Sequence, residues 1–156
     1  RFTTSHPRDL SRDVMECFHD LDNLCEHLHL PVQSGSTRVL KRMNRHYTRD
    51  QYLKTIEGLK SLCPEISLTT DLIVGFPGET DADFKDTLSL LRAVEFDQIF
   101  AFKYSPRPFT EAAGWSDDYV PEEIKAERLN RLFELQNEIG FRRYKGMEGR
   151  LEEVLV

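Results

Sequence analysis

The chain has 156 residues, of which 39% are hydrophobic and 31% are charged, and its formal net charge is −6. This length predicts one domain with enough apolar side chains to bury a core. The composition excludes a membrane-spanning protein, because no apolar run approaches the length of a span, and the acidic balance argues against bulk attraction to nucleic acid while leaving room for a local basic face.

The chain opens with a predicted strand over residues 2–5, which ends at His6-Pro7 because proline biases the preceding residue to extended backbone. Apolar residues at helical spacing predict a helix over residues 10–21. A second strand, over residues 27–32, leads into Gln33, Ser34 and Gly35.

Two helices follow the second strand. Ser36 is placed to cap a short helix that runs to Met43. Thr48 and Gln51 form a capping box, which starts a longer helix that Pro64 ends.

The central strand is predicted over Ile66–Val74, and its near-continuous hydrophobicity is typical of a strand covered on both faces. Asp71 interrupts this run, and a buried carboxylate is costly without a partner. Gly75–Gly78 ends the strand in a turn, and Thr80 with Asp83 forms a weak capping box for the next helix. A strand, a glycine turn and a helix N-terminus together are typical of small-molecule sites in α/β proteins, although a plain turn remains the alternative.

The last third of the chain predicts a helix through Phe84–Val94, a strand over Gln98–Tyr104 and a final helix with Pro121 at its first position. The aperiodic segment 105–120 is long for a loop, and such loops are often functional. Gly149–Val156 is strand-like with nothing visible to pair with.

Strand and helix therefore alternate four times, which predicts an α/β fold with a parallel sheet and right-handed crossovers, either half a barrel or a small open sheet. No secretory signal opens the chain, and both ends look cut from a longer protein.

The cysteines Cys17, Cys25 and Cys63 have no Cys-x-x-Cys spacing, and we interpret them as reduced, buried thiols of a cytosolic protein. His27 and His29 share a strand face, but no third ligand stands at a telling spacing. We therefore expect no metal site within this chain.

Polar residues gather after the predicted strand ends, which meet at one rim in a parallel fold. We find no Ser-His-acid set, no Walker loop and no Gly-x-Gly-x-x-Gly. The rim therefore indicates binding of a nucleotide-like ligand, with ordinary turn-forming residues as the alternative. The residues concerned are Ser5, Gln33, Ser34, the segment 75–79, Tyr104, Ser105 and Arg107.

Five basic residues crowd one short stretch, which is either a solvated helix face or a contact to the phosphate backbone of a nucleic acid. They are Arg38, Lys41, Arg42, Arg45 and Arg49. Arg107, on a stiff loop between two prolines, is placed to stack on a base or bind a phosphate.

Four segments, which occur in the family's order, resemble the radical SAM methylthiotransferases, most closely the tRNA-modifying MiaB type. They are His29-Leu-Pro-Val-Gln-Ser-Gly-Ser36, Val39-Leu-Lys-Arg-Met-Asn-Arg45, Thr70-Asp-Leu-Ile-Val-Gly-Phe-Pro-Gly-Glu-Thr80 and Tyr104-Ser-Pro-Arg-Pro108. Residues 1–7 resemble the family's third barrel strand, so the resemblance extends over essentially the whole chain. The ribosomal-protein S12 methylthiotransferases are the nearest relatives of that type.

The resemblance implies a cytoplasmic, monomeric parent with two 4Fe-4S clusters, one in an N-terminal domain and one in the radical SAM barrel. Residues 1–146 would be strands three to six of a partial TIM barrel, and residues 147–156 the start of an RNA-binding TRAM domain. The cluster ligands lie outside this chain, so this part alone should be inactive.

In such enzymes S-adenosylmethionine is cleaved to a radical that activates C2 of N6-isopentenyladenosine next to the anticodon of a tRNA, and sulfur and a methyl group are added there. The resemblance implies cofactor contacts by Ser5, Gln33, Ser34, Asp71, Gly75, Phe76 and Pro77. It implies substrate contacts by Arg45, Tyr104 and Arg107.

One departure from the family concerns Phe109, which stands where a glycine is usual. Phenylalanine does not adopt glycine backbone cheaply, so we expect a different loop. The alternatives to a tRNA enzyme are the ribosomal-protein modifier and a non-catalytic half-barrel that binds S-adenosylmethionine or RNA. An open barrel edge also predicts marginal stability or aggregation.

Overall fold

The computed structural model describes residues 2–3 and 6–151, with side chains for residues 6–151. Its strands are β1 (Phe2–Thr3), β2 (His27–His29), β3 (Ser67–Val74) and β4 (Gln98–Lys103). Its α-helices are α1 (Arg12–Asp20), α2 (Thr37–Arg42), α3 (Arg49–Leu62), α4 (Asp81–Val94) and α5 (Glu122–Gly146). Short 3-10 turns lie at Pro7–Asp9, Glu111–Gly114 and Ser116–Asp118.

The four strands form one parallel sheet in the order β1-β2-β3-β4. Each strand therefore pairs with its neighbour in sequence, which is the order of a barrel, whereas a doubly wound sheet reverses direction part-way. The predicted α/β fold with four βα units is confirmed as a partial barrel.

The helices cover one face of the sheet, where Leu28, Leu72 and Val74 are fully buried. The opposite face of β3 and β4 carries Asp71 beside Phe100 and Ile73 beside Phe102 in the parallel register. Phe100 and Phe102 remain 43% and 58% exposed. The sheet thus has one packed face and one face that the described part of the chain leaves open.

The predicted helix starts are confirmed by their caps. Ser36 accepts a hydrogen bond from the Val39 amide at the start of α2. Thr48 with Gln51, and Thr80 with Asp83, form complete capping boxes at α3 and α4. Pro121 differs from the prediction, because its extended backbone makes it the N-cap residue and α5 starts at Glu122.

Strand β2 is shorter than predicted because Pro31 has no amide hydrogen to donate to the ladder. The Thr70 hydroxyl bridges the gap, accepting from the Val32 amide at 2.9 Å and donating to the Leu30 carbonyl at 2.8 Å. Pairing resumes with an isolated bridge between Gln33 and Leu72.

The interpretation of the cysteines as buried is wrong for two of the three. Cys17 is exposed because it lies on the outer side of α1, and Cys25 is exposed in the turn before β2. Cys63 is buried, and burial raises the pKa of its thiol to about 11.

The aperiodic segment 105–120 contains two 3-10 turns, which hydrophobic periodicity does not reveal. Helix α5 ends at Gly146, next to the predicted domain boundary, but residues 152–156 of the predicted TRAM start lie outside the described residues. Among residues 2–3 and 6–151, no helix is both long and apolar enough to cross a membrane.

Candidate functional site

A cleft of about 810 Å³ opens where β3 and β4 end, between their last residues and the segment that follows β4. Its position at the carboxyl ends of parallel strands is that of ligand sites in barrel folds, and its volume is that of sites for drug-sized ligands. The segment 105–119, which we name the strap, forms one wall. The cleft is also lined by the end of α2 and the residues after it, Arg42, Met43, Asn44 and Arg45.

Gln33 lines the cleft floor in a left-handed backbone conformation, with φ of 70°. Its amide donates to the Asp71 carbonyl at 2.8 Å, and its carbonyl accepts from the Ile73 amide at 2.9 Å. These two bonds hold a conformation that costs a non-glycine residue about 1–2 kcal/mol. Such strain clusters at functional sites.

Left-handed backbone recurs around the same cleft at Asn44 (φ 56°), His46 (φ 57°) and Phe109 (φ 68°). Asn44 and His46 flank Arg45, whose side chain lines the cleft. Phe109 adopts the left-handed backbone that glycine favours, contrary to the expectation of a different loop at this residue. Its ring is fully exposed, and the strain lies in the backbone, where Cβ crowds the following carbonyl oxygen.

Asp71 lines the cleft from β3 with its side chain one-third exposed. One carboxylate oxygen, Oδ1, lies 3.4 Å from Nε2 of His29 on β2. A carboxylate in a strand is costly without a partner. For Asp71 that partner is a histidine on the neighbouring strand.

The glycine turn after β3 is held from inside by Glu79. Its Oε2 accepts from the Gly75 amide at 2.7 Å and from Nη1 of Arg128 at 2.7 Å. Burial raises the pKa of Glu79, and the Gly75 amide and Arg128 oppose that shift. The turn that carries Phe76 into the cleft is therefore fixed to α5.

The strap is fastened to the rest of the site by aromatic and ionic contacts. The Arg42 guanidinium stacks 4.7 Å from the Trp115 ring centroid and pairs with Asp118 at 2.6 Å. Trp115 and Tyr104 both pack edge-on against Phe76, with centroid distances of 6.1 Å and 5.1 Å. The cleft consequently combines aromatic faces with guanidinium groups, a combination that suits planar, charged ligands.

Comparison with known proteins identifies the family. The model of the radical SAM superfamily matches residues 1–91, more than half of the chain. The chain belongs to the radical SAM superfamily. The solved structure of coproporphyrinogen III oxidase from Escherichia coli, described as a radical SAM enzyme, matches with a TM-score of 0.69 and 21% identity. The match covers 86% of this chain and 31% of that one, and it shows a shared fold.

Curated relatives match over the full length of this radical SAM chain. The tRNA-2-methylthio-N(6)-dimethylallyladenosine synthase of Clostridium botulinum (strain Hall) is 54% identical over all 156 residues. The synthases of the same name from Caldicellulosiruptor saccharolyticus and Geobacillus kaustophilus are 52% and 54% identical. The chain spans 34%, 33% and 29% of these three proteins, about a third of their length.

The predicted site residues fall into two groups in this radical SAM fold. Six of them line the cleft: Gln33, Asp71, Phe76, Arg45, Tyr104 and Arg107. Ser34, Gly75 and Pro77 are buried behind its surface. Ser34 Oγ accepts from the Ser36 amide at 3.2 Å and so holds its own turn. Ser5 lies outside the described residues.

Two aromatic residues of the cleft, Phe102 and Trp115, were not predicted from the sequence. Phe102 follows the alternation of β4 and could have been assigned to the open face. Trp115 is the single tryptophan of the chain. Its place in the long aperiodic segment is the signal that could have assigned it to the site.

Among residues 6–151, no group of three His, Cys, Asp or Glu side chains is placed to hold a metal ion. Cys17, Cys25 and Cys63 are free thiols. These side chains do not fit a 4Fe-4S cluster, which is held by several cysteine thiolates brought together at one site.

Proposed function

We propose that this chain is the cleft-bearing part of a tRNA methylthiotransferase that adds a methylthio group to C2 of N6-isopentenyladenosine next to the anticodon. The observation that carries the proposal is identity of 52–54% over all 156 residues to synthases named for this product. The parent would be a monomeric cytoplasmic enzyme with two 4Fe-4S clusters on residues outside this chain, and residues 147–156 would begin its TRAM domain.

The residues of the cleft fit S-adenosylmethionine in three respects. The volume of about 810 Å³ accommodates a ligand of this size. Phe76 and Tyr104 offer aromatic surface for an adenine ring, and the Gln33 amide and the Asp71 carboxylate offer donors and acceptors for hydroxyl and amino groups. When bound, S-adenosylmethionine supplies the radical chemistry and the methyl group.

The protein's own residues bind and orient in this proposal. Gln33 and Asp71 hold the polar parts of the cofactor at the cleft floor, and Phe76 covers its ring. Ser34, Gly75 and Pro77 act by fixing the backbone of the turns that follow β2 and β3, and Ser5 remains a proposed cofactor contact.

Arg45, Arg107 and Tyr104 are the proposed substrate contacts. Arg107 is exposed on the strap, and Arg45 lines the same cleft from the segment after α2. Two guanidinium groups in one cleft suit the phosphates that flank a nucleotide, and Tyr104 adds a stacking face. A tRNA anticodon stem-loop would therefore contact the cleft where Arg45, Arg107 and Tyr104 lie.

The two alternative functions are not favoured. Relatives that align with all 156 residues carry the tRNA synthase name, which argues against a ribosomal-protein substrate. The same names argue against a non-catalytic half-barrel.

Product analysis of the full-length protein tests the proposal. The enzyme is reconstituted anaerobically with iron and sulfide and incubated with S-adenosylmethionine, reductant and tRNA bearing isopentenyladenosine. Mass spectrometry of the nucleosides should show one methylthio group added to that adenosine. A methylthio group on ribosomal protein S12 and none on tRNA would overturn the tRNA assignment.

A further inference from the structure

His29 lies beside the cleft but does not line it, and both of its ring nitrogens face polar atoms of β3. Nδ1 lies 2.9 Å from the Thr69 hydroxyl, and Nε2 lies 3.4 Å from Oδ1 of Asp71. Nothing in the proposed cofactor or substrate contacts uses this histidine.

The surroundings of His29 leave its ring little freedom. Its side chain is 18% exposed, and its edge packs against Phe100 with a centroid distance of 5.9 Å. Thr69 is 7% exposed and pairs with His29 in the register of β2 and β3. The Thr69 contact to Nδ1 fixes the ring orientation, so Nε2 is directed at Asp71.

The Asp71 backbone is fixed as well, since its strand pairs with Phe100 on one side and its carbonyl accepts from Gln33 on the other. What remains free is rotation of the carboxylate. Among the described residues, His29 is the side chain that contacts it. With Oδ1 drawn toward Nε2, Oδ2 is left for the cleft.

We propose that His29 is a positioning residue, which holds the Asp71 carboxylate so that one oxygen faces the cleft and accepts from a hydroxyl or amino group of the cofactor. The inference rests on the proposed role of Asp71 in cofactor binding. The 3.4 Å separation is longer than a normal hydrogen bond, so the proposed role requires it to shorten when the cofactor binds.

A double-mutant cycle on the full-length, reconstituted protein tests this role, with the dissociation constant of S-adenosylmethionine measured by equilibrium dialysis. His29→Phe keeps a ring of similar size against Phe100 and removes both nitrogens. Asp71→Asn keeps the shape of the carboxylate and removes its charge. We expect each single variant to weaken binding about tenfold, and the double variant to bind no more weakly than Asp71→Asn, because coupled residues are not additive.

His27→Phe is the matched control, since His27 lies on the same face of β2 two residues earlier and its Nε2 lies 3.5 Å from the Thr69 hydroxyl. It should leave the dissociation constant unchanged within about twofold. Thr69→Val removes the contact that orients the ring and serves if His29→Phe does not fold. It should weaken binding by a smaller factor, and only when Asp71 is present.

Two results would overturn the inference while leaving the proposed function intact. One is a hundredfold loss in the double variant, the product of two independent effects. The other is normal binding by His29→Phe together with weakened binding by Asp71→Asn. Normal binding by Asp71→Asn would remove both the cofactor role of Asp71 and the positioning role of His29, whereas the nucleoside product decides the function separately.

Discussion

Arg128 on α5 and Glu79 at the end of the glycine turn form a buried ion pair, with Nη1 2.7 Å from Oε2 and side chains 5% and 1% exposed. The second nitrogen of Arg128, Nη2, pairs with Asp81 at 2.7 Å at the start of α4. The Arg128 guanidinium therefore connects α5 to the glycine turn that carries Phe76 into the cleft.

Replacing Arg128 with Met should lower the free energy of unfolding by about 3–5 kcal/mol, because the Glu79 carboxylate is then buried without its cation. Urea unfolding of the full-length protein, followed by circular dichroism, measures the loss. Arg131→Met is the control, since this neighbouring arginine is 47% exposed and its pair with Glu127 spans 3.6 Å. A similar loss in both variants would contradict the importance of burial.

Asp83 connects the starts of α2 and α4, because its carboxylate accepts hydrogen bonds from Ser36 and Thr80. Its contribution to stability should depend on pH. Burial acts to raise its pKa, but hydrogen bonds from Arg38, Ser36 and Thr80 outweigh burial and lower it well below its ordinary value of 3.8. Because the folded pKa is depressed, the stability from this carboxylate is complete above 3.8 and declines as the pH falls through the folded value.

Asp83→Asn should therefore cost about 2 kcal/mol of unfolding free energy near pH 7, since the hydrogen bonds to a charged acceptor are lost. The difference between wild type and variant should shrink at about pH 3. Urea unfolding at the two pH values measures it. If the difference in unfolding free energy grew as the pH fell, the pKa of Asp83 would not be lowered by folding.

Gly75 cannot take a side chain in this structure. Its φ is +70°, and a Cβ would lie 2.6 Å from Cδ of Lys125 and closer still to Cγ. The Lys125 stem is not free to move aside, because Nζ donates to the Tyr104 carbonyl at 3.2 Å and pairs with Glu122 at 2.9 Å. The Lys125 side chain is thus packed directly against the backbone of Gly75.

We expect Gly75→Ala to lower the unfolding free energy by at least about 2 kcal/mol, from left-handed strain and overpacking together. Gly114→Ala is the matched control, because a Cβ there meets no atom within 4 Å. Thermal unfolding of both variants gives the comparison. Equal midpoints would contradict the close approach at Gly75.

Phe109 is strained and fully exposed, with φ of 68°. Phe109→Gly should raise the unfolding free energy by about 0.5–1 kcal/mol, since relief of left-handed strain exceeds the added freedom of the unfolded chain. Phe109→Ala keeps the strain and should change it by less than about 0.5 kcal/mol. Identical stabilities of the glycine and alanine variants, measured by urea unfolding, would argue against backbone strain.

Local signals predicted most of the fold. The capping boxes at Thr48 and Thr80 lie within four residues of sequence, and the apolar runs of β3 and β4 match their buried face. Strand order followed because alternating strands and helices favour pairing between sequence neighbours.

The cleft was less predictable, because its walls are made by contacts between distant residues. No local pattern pairs Trp115 with Arg42, or His29 with Asp71. The left-handed backbone of Gln33 was also missed, since glutamine carries no signal for positive φ and the conformation is imposed by its bonds to β3.

Binding of S-adenosylmethionine to the full-length, reconstituted protein tests the central claim that this cleft is the cofactor site. Equilibrium dialysis should give a dissociation constant about tenfold higher for Gln33→Ala than for wild type, because a hydrogen-bonding amide at the cleft floor is removed. Gln98→Ala, an exposed glutamine at the opposite end of β4, should bind like wild type. Unchanged binding by Gln33→Ala would contradict the placement of the cofactor in this cleft.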